Sequence, residues 1–294
     1  MSSPSTRPNI ETSGAVTHTG LPVKRPRLGQ ISFVNVLPIV LPYERQHAAV
    51  QTEIIYQSPS QLNAMFSRGE LDIGAMSSFF YLENPTLRLV PGVSISCKGP
   101  VGSVLFFSKC HPEELLDSQK RIVVSAQSAT SINLLKILFS AHYGFVPELI
   151  ASPQPDLEQP GVDAVLVIGD RALEVDERWS LQFNRIDLGA WWFDTYKRPM
   201  VFGVWAARKQ WVEKHPDEFS RIVQSLKMAK ISGLTDQLPD VLKEAEHRTG
   251  LCIERLRRYF THELNFDLDE EHLDGLALYQ QLAAENGLLG TPAP

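Results

Sequence analysis

The sequence predicts an α/β protein of two domains, one inserted into the other, with a ligand cleft between them. Two observations carry this. Three stretches, GQISFVNVLPI (29–39), LDIGAMSSFFYL (71–82) and RIVVSAQSATSINLL (121–135), each pass from an apolar strand-like segment through small polar residues into another apolar segment. That is how α/β proteins place hydrogen-bonding groups at the carboxyl ends of their strands, and a small anionic ligand suits such groups. The chain also has 294 residues, more than one ordinary domain of about 100–200 residues needs.

The elements follow in order. Residues 1–26 are polar and Pro-rich, so a disordered tail is expected, because little apolar surface is present to offset the entropy of ordering. A strand then covers Leu28 to Phe33. Ser58, Pro59 and Gln61 signal a helix start: Ser58 caps, Pro59 suits the first helical position and Gln61 completes a capping box. Leu62, Met65 and Phe66 give that helix a buried stripe, and Gly69 ends it. The strand Leu71 to Ala75 follows at once, so the pairing is expected to be parallel.

A long apolar strand runs from Val101 to Ser108, and strand and helix alternation restarts at Arg121 to Ser125, with Ile132, Leu135 and Phe139 at helical spacing. Val162 to Ile168 is a near-continuous apolar run, as in strands buried on both faces. The segments 101–108 and 198–205 read as the strands that cross between domains. A first domain is therefore expected at 27–107 with 203–294, and an inserted second domain at 108–202. The last third is helical, with starts at His215 to Glu218 and near Glu270, and Gly287 as a terminator.

Composition narrows the function. Apolar residues make up 43% and charged residues 21%, and the net charge is -6. That balance offers neither the basic patch that nucleic acid requires nor a polybasic membrane anchor. No stretch reaches the roughly 18 apolar residues of a transmembrane helix. The beginning of the chain carries no apolar leader, so a cytoplasmic protein is expected. Cys97, Cys110 and Cys252 lie far apart with no C-x-x-C pair, which reads as reduced thiols rather than disulfides or a zinc site. The histidines form no H-E-x-x-H, and no Gly-rich phosphate loop is present. Metal, nicotinamide and nucleotide cofactors therefore have no support.

The candidate site residues cluster after the strands. Asn35 follows the first strand, where an amide serves either as a turn or cap residue or as a bonding group at the cleft mouth. Ser77 and Ser78 precede an aromatic segment, and Ser128, Thr130 and Ser131 follow strand 121–125. Each can cap a helix or bind a carboxylate beside its N-terminus. Gly102 and Ser103 lie at the expected crossing. Asp170, in VIGDRAL, reads as a helix cap, and Trp191 and Trp192 read as core or lid.

With GPVGSVLFF (99–107), the first two stretches resemble the chorismate dehydratases of the futalosine route to menaquinone. The matching motif is G-x-I-x-(Y/F)-x-N-x-x-P, kept here as Gly29, Ile31, Phe33, Asn35 and Pro38. Val34 stands where Leu is usual and Val36 where a small polar residue is usual. The resemblance spans roughly 27–289. It implies a type II periplasmic-binding-protein-like fold, chorismate as the small-molecule substrate, no cofactor, and elimination of water to give 3-(1-carboxyvinyloxy)benzoate. It moves Asn35 and Ser103 to catalytic positions bordering the cleft, with Ser77, Ser78, Gly102, Ser128, Thr130 and Ser131 as binding residues. No His, Glu or Lys falls in these motifs to serve as base, so the enolpyruvyl carboxylate of the substrate is expected to remove the proton. Two other readings share the fold. One is a non-catalytic anion binder, which normally carries a leader. The other is the sister enzyme making 1,4-dihydroxy-6-naphthoate, which has a Pro-Asn-Asp first loop and a catalytic His.

Overall fold

The computed structural model describes residues 25–46, 51–116 and 119–289. All but the last two residues of the expected tail lie outside this set. Two five-stranded sheets organise the chain. The first begins with β1 (Arg27–Ile31), a 3-10 turn Val34–Val36 and α1 (Leu37–Arg45). β2 (Glu53–Gln57), α2 (Pro59–Ser67) and β3 (Ile73–Ser77) follow. β1 pairs in parallel with both β2 and β3. Helix α2 starts as its local sequence dictates: Ser58 accepts from the Gln61 N–H, and the Gln61 side chain returns to the Ser58 N–H. At its end Gly69 takes φ +72°, a conformation glycine adopts without a Cβ clash.

After α3 (Ser78–Glu83) and β4 (Leu87–Cys97) the chain crosses to the second sheet. That sheet holds β5 (Val104–Ser108), β6 (Ile122–Ser125), β7 (Leu149–Ser152), β8 (Ala164–Ile168) and β9 (Asn184–Asp187). Its helices are α4 (Ala129–Tyr143), α5 (Gly169–Ser180) and α6 (Leu188–Tyr196). The chain then returns through β10 (Met200–Arg208) to the first sheet.

The two sheets repeat one pattern. Their orders are β2-β1-β3-β10-β4 and β7-β6-β8-β5-β9. In each, three parallel strands are followed by an antiparallel strand that enters directly from the crossing, β10 in the first and β5 in the second. Val165, Leu166 and Val167 in β8 are fully buried, as their unbroken apolar run requires, although β8 has one parallel and one antiparallel neighbour.

Strand β5 starts three residues later than the apolar run suggests. The Val101 and Gly102 N–H groups donate to the Asp187 carboxylate instead of a strand, and Gly102 has φ +66°. The expected boundaries at 107/108 and 202/203 fall inside β5 and β10, each of which lies whole in one sheet. We place the crossings accordingly at 98–103 and 197–199.

The last third is helical: α7 (Lys209–Lys214), α8 (Pro216–Leu234), α9 (Leu238–Thr249), α10 (Ile253–Arg258) and α11 (Glu270–Glu285). Helix α8 packs on α1 and β4, and α11 on β10, so these helices cover the first sheet. The approach of α8 to α1 is close, because a Cβ at Gly233 would stand 1.8 Å from the Pro38 carbonyl oxygen. Between α10 and α11 the chain makes a π-helical turn, Tyr259–Glu263, which reaches back to the crossing. The Tyr259 hydroxyl donates to Ser103 at 2.8 Å.

Candidate functional site

The carboxyl ends of β1, β3, β6 and β8 face one another across a shared cleft. Each of these strands leads into a helical start, and four such starts converge there: the turn bearing Asn35, and the first residues of α3, α4 and α5. The positive end of the helix dipole makes such starts favourable to anions.

Asn35 lines the cleft, half-buried. It caps nothing: Phe33 and Val36 occupy the cap positions of its turn and of α1, and neither helical start has a side-chain cap bond. Its Oδ1 is buried with no hydrogen-bond partner. Ser77 also lines the cleft and caps α3, accepting from the Phe80 N–H at 3.3 Å. Ser128 and Ser131 act as a pair on the opposite wall. Ser128 caps α4 by accepting from the Ser131 N–H at 3.1 Å, and the two hydroxyls are 2.8 Å apart.

Ser103 completes the polar rim. Tyr259 donates into its oxygen, and its own proton has only a long contact, 3.5 Å, to the Val101 carbonyl. That proton is therefore available to a ligand oxygen. Burial pushes the Tyr259 phenol far up, so it stays a donor.

Three of the expected binding residues do not line the cleft. Ser78 is fully buried on the first turn of α3. The Thr130 hydroxyl accepts from the Phe79 N–H at 3.0 Å and its carbonyl from Tyr279 at 3.1 Å, tying α3, α4 and α11 together. Gly102 serves the crossing: its N–H donates to Asp187 at 2.8 Å, and a Cβ there would collide with the Glu263 carboxylate.

Other wall residues were not singled out from the sequence. Phe33 and Phe202, with Ile31, Ile95 and Ile168, form apolar surfaces, and Gln127 adds an amide. Phe33 lies inside the Asn35 motif and Gln127 inside SAQSATS, so proximity to those motifs was the available clue. None of the residues lining the cleft carries an ionisable side chain. Among the described residues no three His, Cys, Asp or Glu side chains group as a metal ion would need.

Asp170 differs from its expected part as a helix cap. Ile168 occupies the cap position of α5, and the Asp170 carboxylate accepts from the Val34 N–H at 3.0 Å. Burial raises its pKa, opposed by that N–H and by Arg248. Of the two tryptophans, Trp192 is fully buried core, whereas Trp191 is partly exposed and packs against His142 and Phe139.

Two sheets joined by two crossings, with helix starts opposed across a shared cleft, define a fold of the periplasmic-binding-protein type. Solved structures agree. The alkanesulfonate-binding protein SsuA from Xanthomonas axonopodis pv. citri is 14% identical, with a TM-score of 0.63 over 91% of this chain and 94% of that one. A protein from Archaeoglobus fulgidus is 20% identical, with a TM-score of 0.71 over 90% and 98%. A chorismate dehydratase from Thermus thermophilus is 29% identical over 278 residues, covering 86% of this chain and 93% of that enzyme. The chain belongs to the menaquinone biosynthesis family, whose model matches residues 26–285. Among the described residues no helix is long and apolar enough to cross a membrane.

Proposed function

We propose that this protein is a chorismate dehydratase, a carbon-oxygen lyase that converts chorismate into 3-(1-carboxyvinyloxy)benzoate and water. The Thermus relative and the family support the assignment. The observation that carries the mechanism is the cleft itself, which combines aromatic and aliphatic walls, hydroxyls and helix starts with no ionisable side chain.

The reaction removes the ring hydroxyl and the proton on the neighbouring ring carbon that bears the enolpyruvyl ether. The C–H electron pair becomes the new ring double bond, the C–O bond breaks, and the departing hydroxide takes up the proton to leave as water. With no ionisable group on the wall, the base is the enolpyruvyl carboxylate of the substrate. Intramolecular positioning substitutes for a protein base, a contribution on the order of 7 kcal/mol where alignment is good. Asn35 holds the departing hydroxyl through its amide. Ser103, directed by Tyr259, and the serines Ser77, Ser128 and Ser131 hold the two carboxylates with the helix starts. No cofactor takes part, and the enzyme works in the cytoplasm on a soluble metabolite.

The sister reaction to 1,4-dihydroxy-6-naphthoate calls for a cleft histidine, and no His lines this cleft. Incubating purified protein with chorismate, following aromatic absorbance and product mass, tests the proposal. The expected product is the benzoate, lighter than chorismate by one water. Chorismate that is bound but recovered unchanged would instead make this a binding protein.

A further inference from the structure

Helix α5 opens on the second sheet, yet its second residue bonds to the first. The Asp170 Oδ1 accepts from the backbone N–H of Val34, 136 residues earlier, at 3.0 Å. Val34 is the first residue of the 3-10 turn whose middle residue is Asn35. The leading N–H groups of a helical turn have no partner within it. Here that of Val34 finds its acceptor on the opposite lobe. An apolar contact accompanies it: a Cβ at Gly169 would stand 3.3 Å from the Phe33 ring, and Gly169 has φ +59°. Phe33 is the residue that precedes the turn. The entry to the Asn35 turn is thus held by the first two residues of α5. A buried carboxylate is costly unless it is bonded, and the start of α5 favours negative charge.

We propose that Asp170 is an interlobe latch, a positioning residue that engages Val34 when the lobes close and thereby sets the turn presenting Asn35 to the substrate. The bond spans the two crossings at 98–103 and 197–199, so opening of the cleft separates its partners. Closure and presentation of the Asn35 amide become one event, and an open protein leaves the turn without its acceptor. The kinetic part of this proposal rests on the dehydratase reading.

The same hydrogen bond is removable from either end. Asp170→Ala deletes the acceptor. Val34→Pro deletes the donor at a first helical position, which proline tolerates, after a residue, Phe33, already extended at ψ 155° as proline requires of its predecessor. Each variant is expected to lower kcat by about a hundredfold, the scale of a 1 Å misplacement of a reacting group, with a smaller rise in KM. Asp170→Asn, which keeps an acceptor oxygen, recovers most of the loss. Combining Asp170→Ala with Val34→Pro, or with Asn35→Ala, adds little further loss, because the residues act as one unit.

Hydrogen exchange at the Val34 amide, read in the wild type and in Asp170→Ala with saturating chorismate added to hold the lobes closed, tests the latch independently of turnover, with faster exchange expected in the variant. Wild-type kcat in both single variants, fully additive losses with Asn35→Ala, or equal Val34 exchange would each overturn the latch. A wild type that fails to convert chorismate would overturn the dehydratase reading and leave the exchange comparison to decide the latch.

Discussion

Replacing Asn35 by alanine separates function from stability with opposite signs. The side chain makes no cap bond, and its Oδ1 is buried without a partner. An unsatisfied buried polar atom costs about 1–3 kcal/mol, so deleting the amide removes a penalty instead of a bond. Asn35→Ala is therefore expected to be as stable as the wild type or more so. Turnover moves the other way. Loss of one preorganised hydrogen-bonding group at the departing oxygen costs about 2.7–4 kcal/mol, a hundredfold to a thousandfold in kcat. Urea melts beside turnover on chorismate measure both. A variant destabilised by about 0.5–2 kcal/mol, the cost of a lost cap, with turnover intact would refute the assignment of Asn35 to the reaction.

Further expectations concern the groups behind the cleft wall. The Asp187 carboxylate accepts from the N–H groups of Val101 at 3.0 Å, Gly102 at 2.8 Å, Gly189 at 3.0 Å and Ala190 at 3.1 Å. Asp187→Ala should lose at least about 3 kcal/mol in urea melts, since each orphaned buried donor costs about 1–3 kcal/mol, and Asp187→Asn should lose less; equal losses would contradict the clamp. The Asp170 pKa is raised by burial, so the folded protein holds that proton more tightly than the unfolded chain. This stability component is full below the ordinary carboxylate value of about 4 and is lost as pH rises through the folded value; the stability of the wild type relative to Asp170→Asn should therefore fall across that range, and a constant difference would contradict the raised pKa. Tyr259→Phe removes the donor to Ser103; it should cost about 1 kcal/mol of stability and raise KM, and an unchanged KM would detach Ser103 from the substrate.

What was legible in the sequence was local. The Ser58, Pro59 and Gln61 start needs only four residues to specify itself, and it forms as read. The small polar residues after β1, β3 and β6 were visible because strand, turn and helix follow one another in the chain. Which serine faces the ligand was not visible, since that depends on how a helix is rotated over its sheet. Ser128 and Ser131 share the cleft face one turn apart, whereas Thr130 between them turns toward Phe79 and Tyr279. Ser77 and Ser78 divide in the same way. Asp170 showed the helix-start signal that any Asp after a strand shows, because its acceptor role is defined by a residue 136 positions away. Gly102 was expected to bind substrate, whereas its N–H bond to Asp187 and the crowding of Glu263 tie it to the crossing, a partnership with residues 85 and 161 positions away that no local motif displays.

A cleft without fixed charge is an unexpected place for a dianion, and on the proposed mechanism that is its chemical point. An arginine or lysine against the enolpyruvyl carboxylate would bind it more strongly, but an opposite charge at contact depresses a carboxylate pKa by about 1–3 units. The base would be weakened by the group that held it. Hydroxyls and helix N–H groups supply attraction through dipoles, which are softer than a full charge, while the apolar walls of Phe33, Phe202 and Ile95 exclude the water that would solvate the carboxylate. The cost is weaker attraction to a protein of net charge -6, and the convergence of four helical starts on one cleft offsets it at short range. Introducing a cation on this wall, as in Ser131→Lys, should therefore tighten binding of the benzoate product while lowering kcat. Tighter binding with kcat undiminished would mean that the substrate carboxylate is not the base.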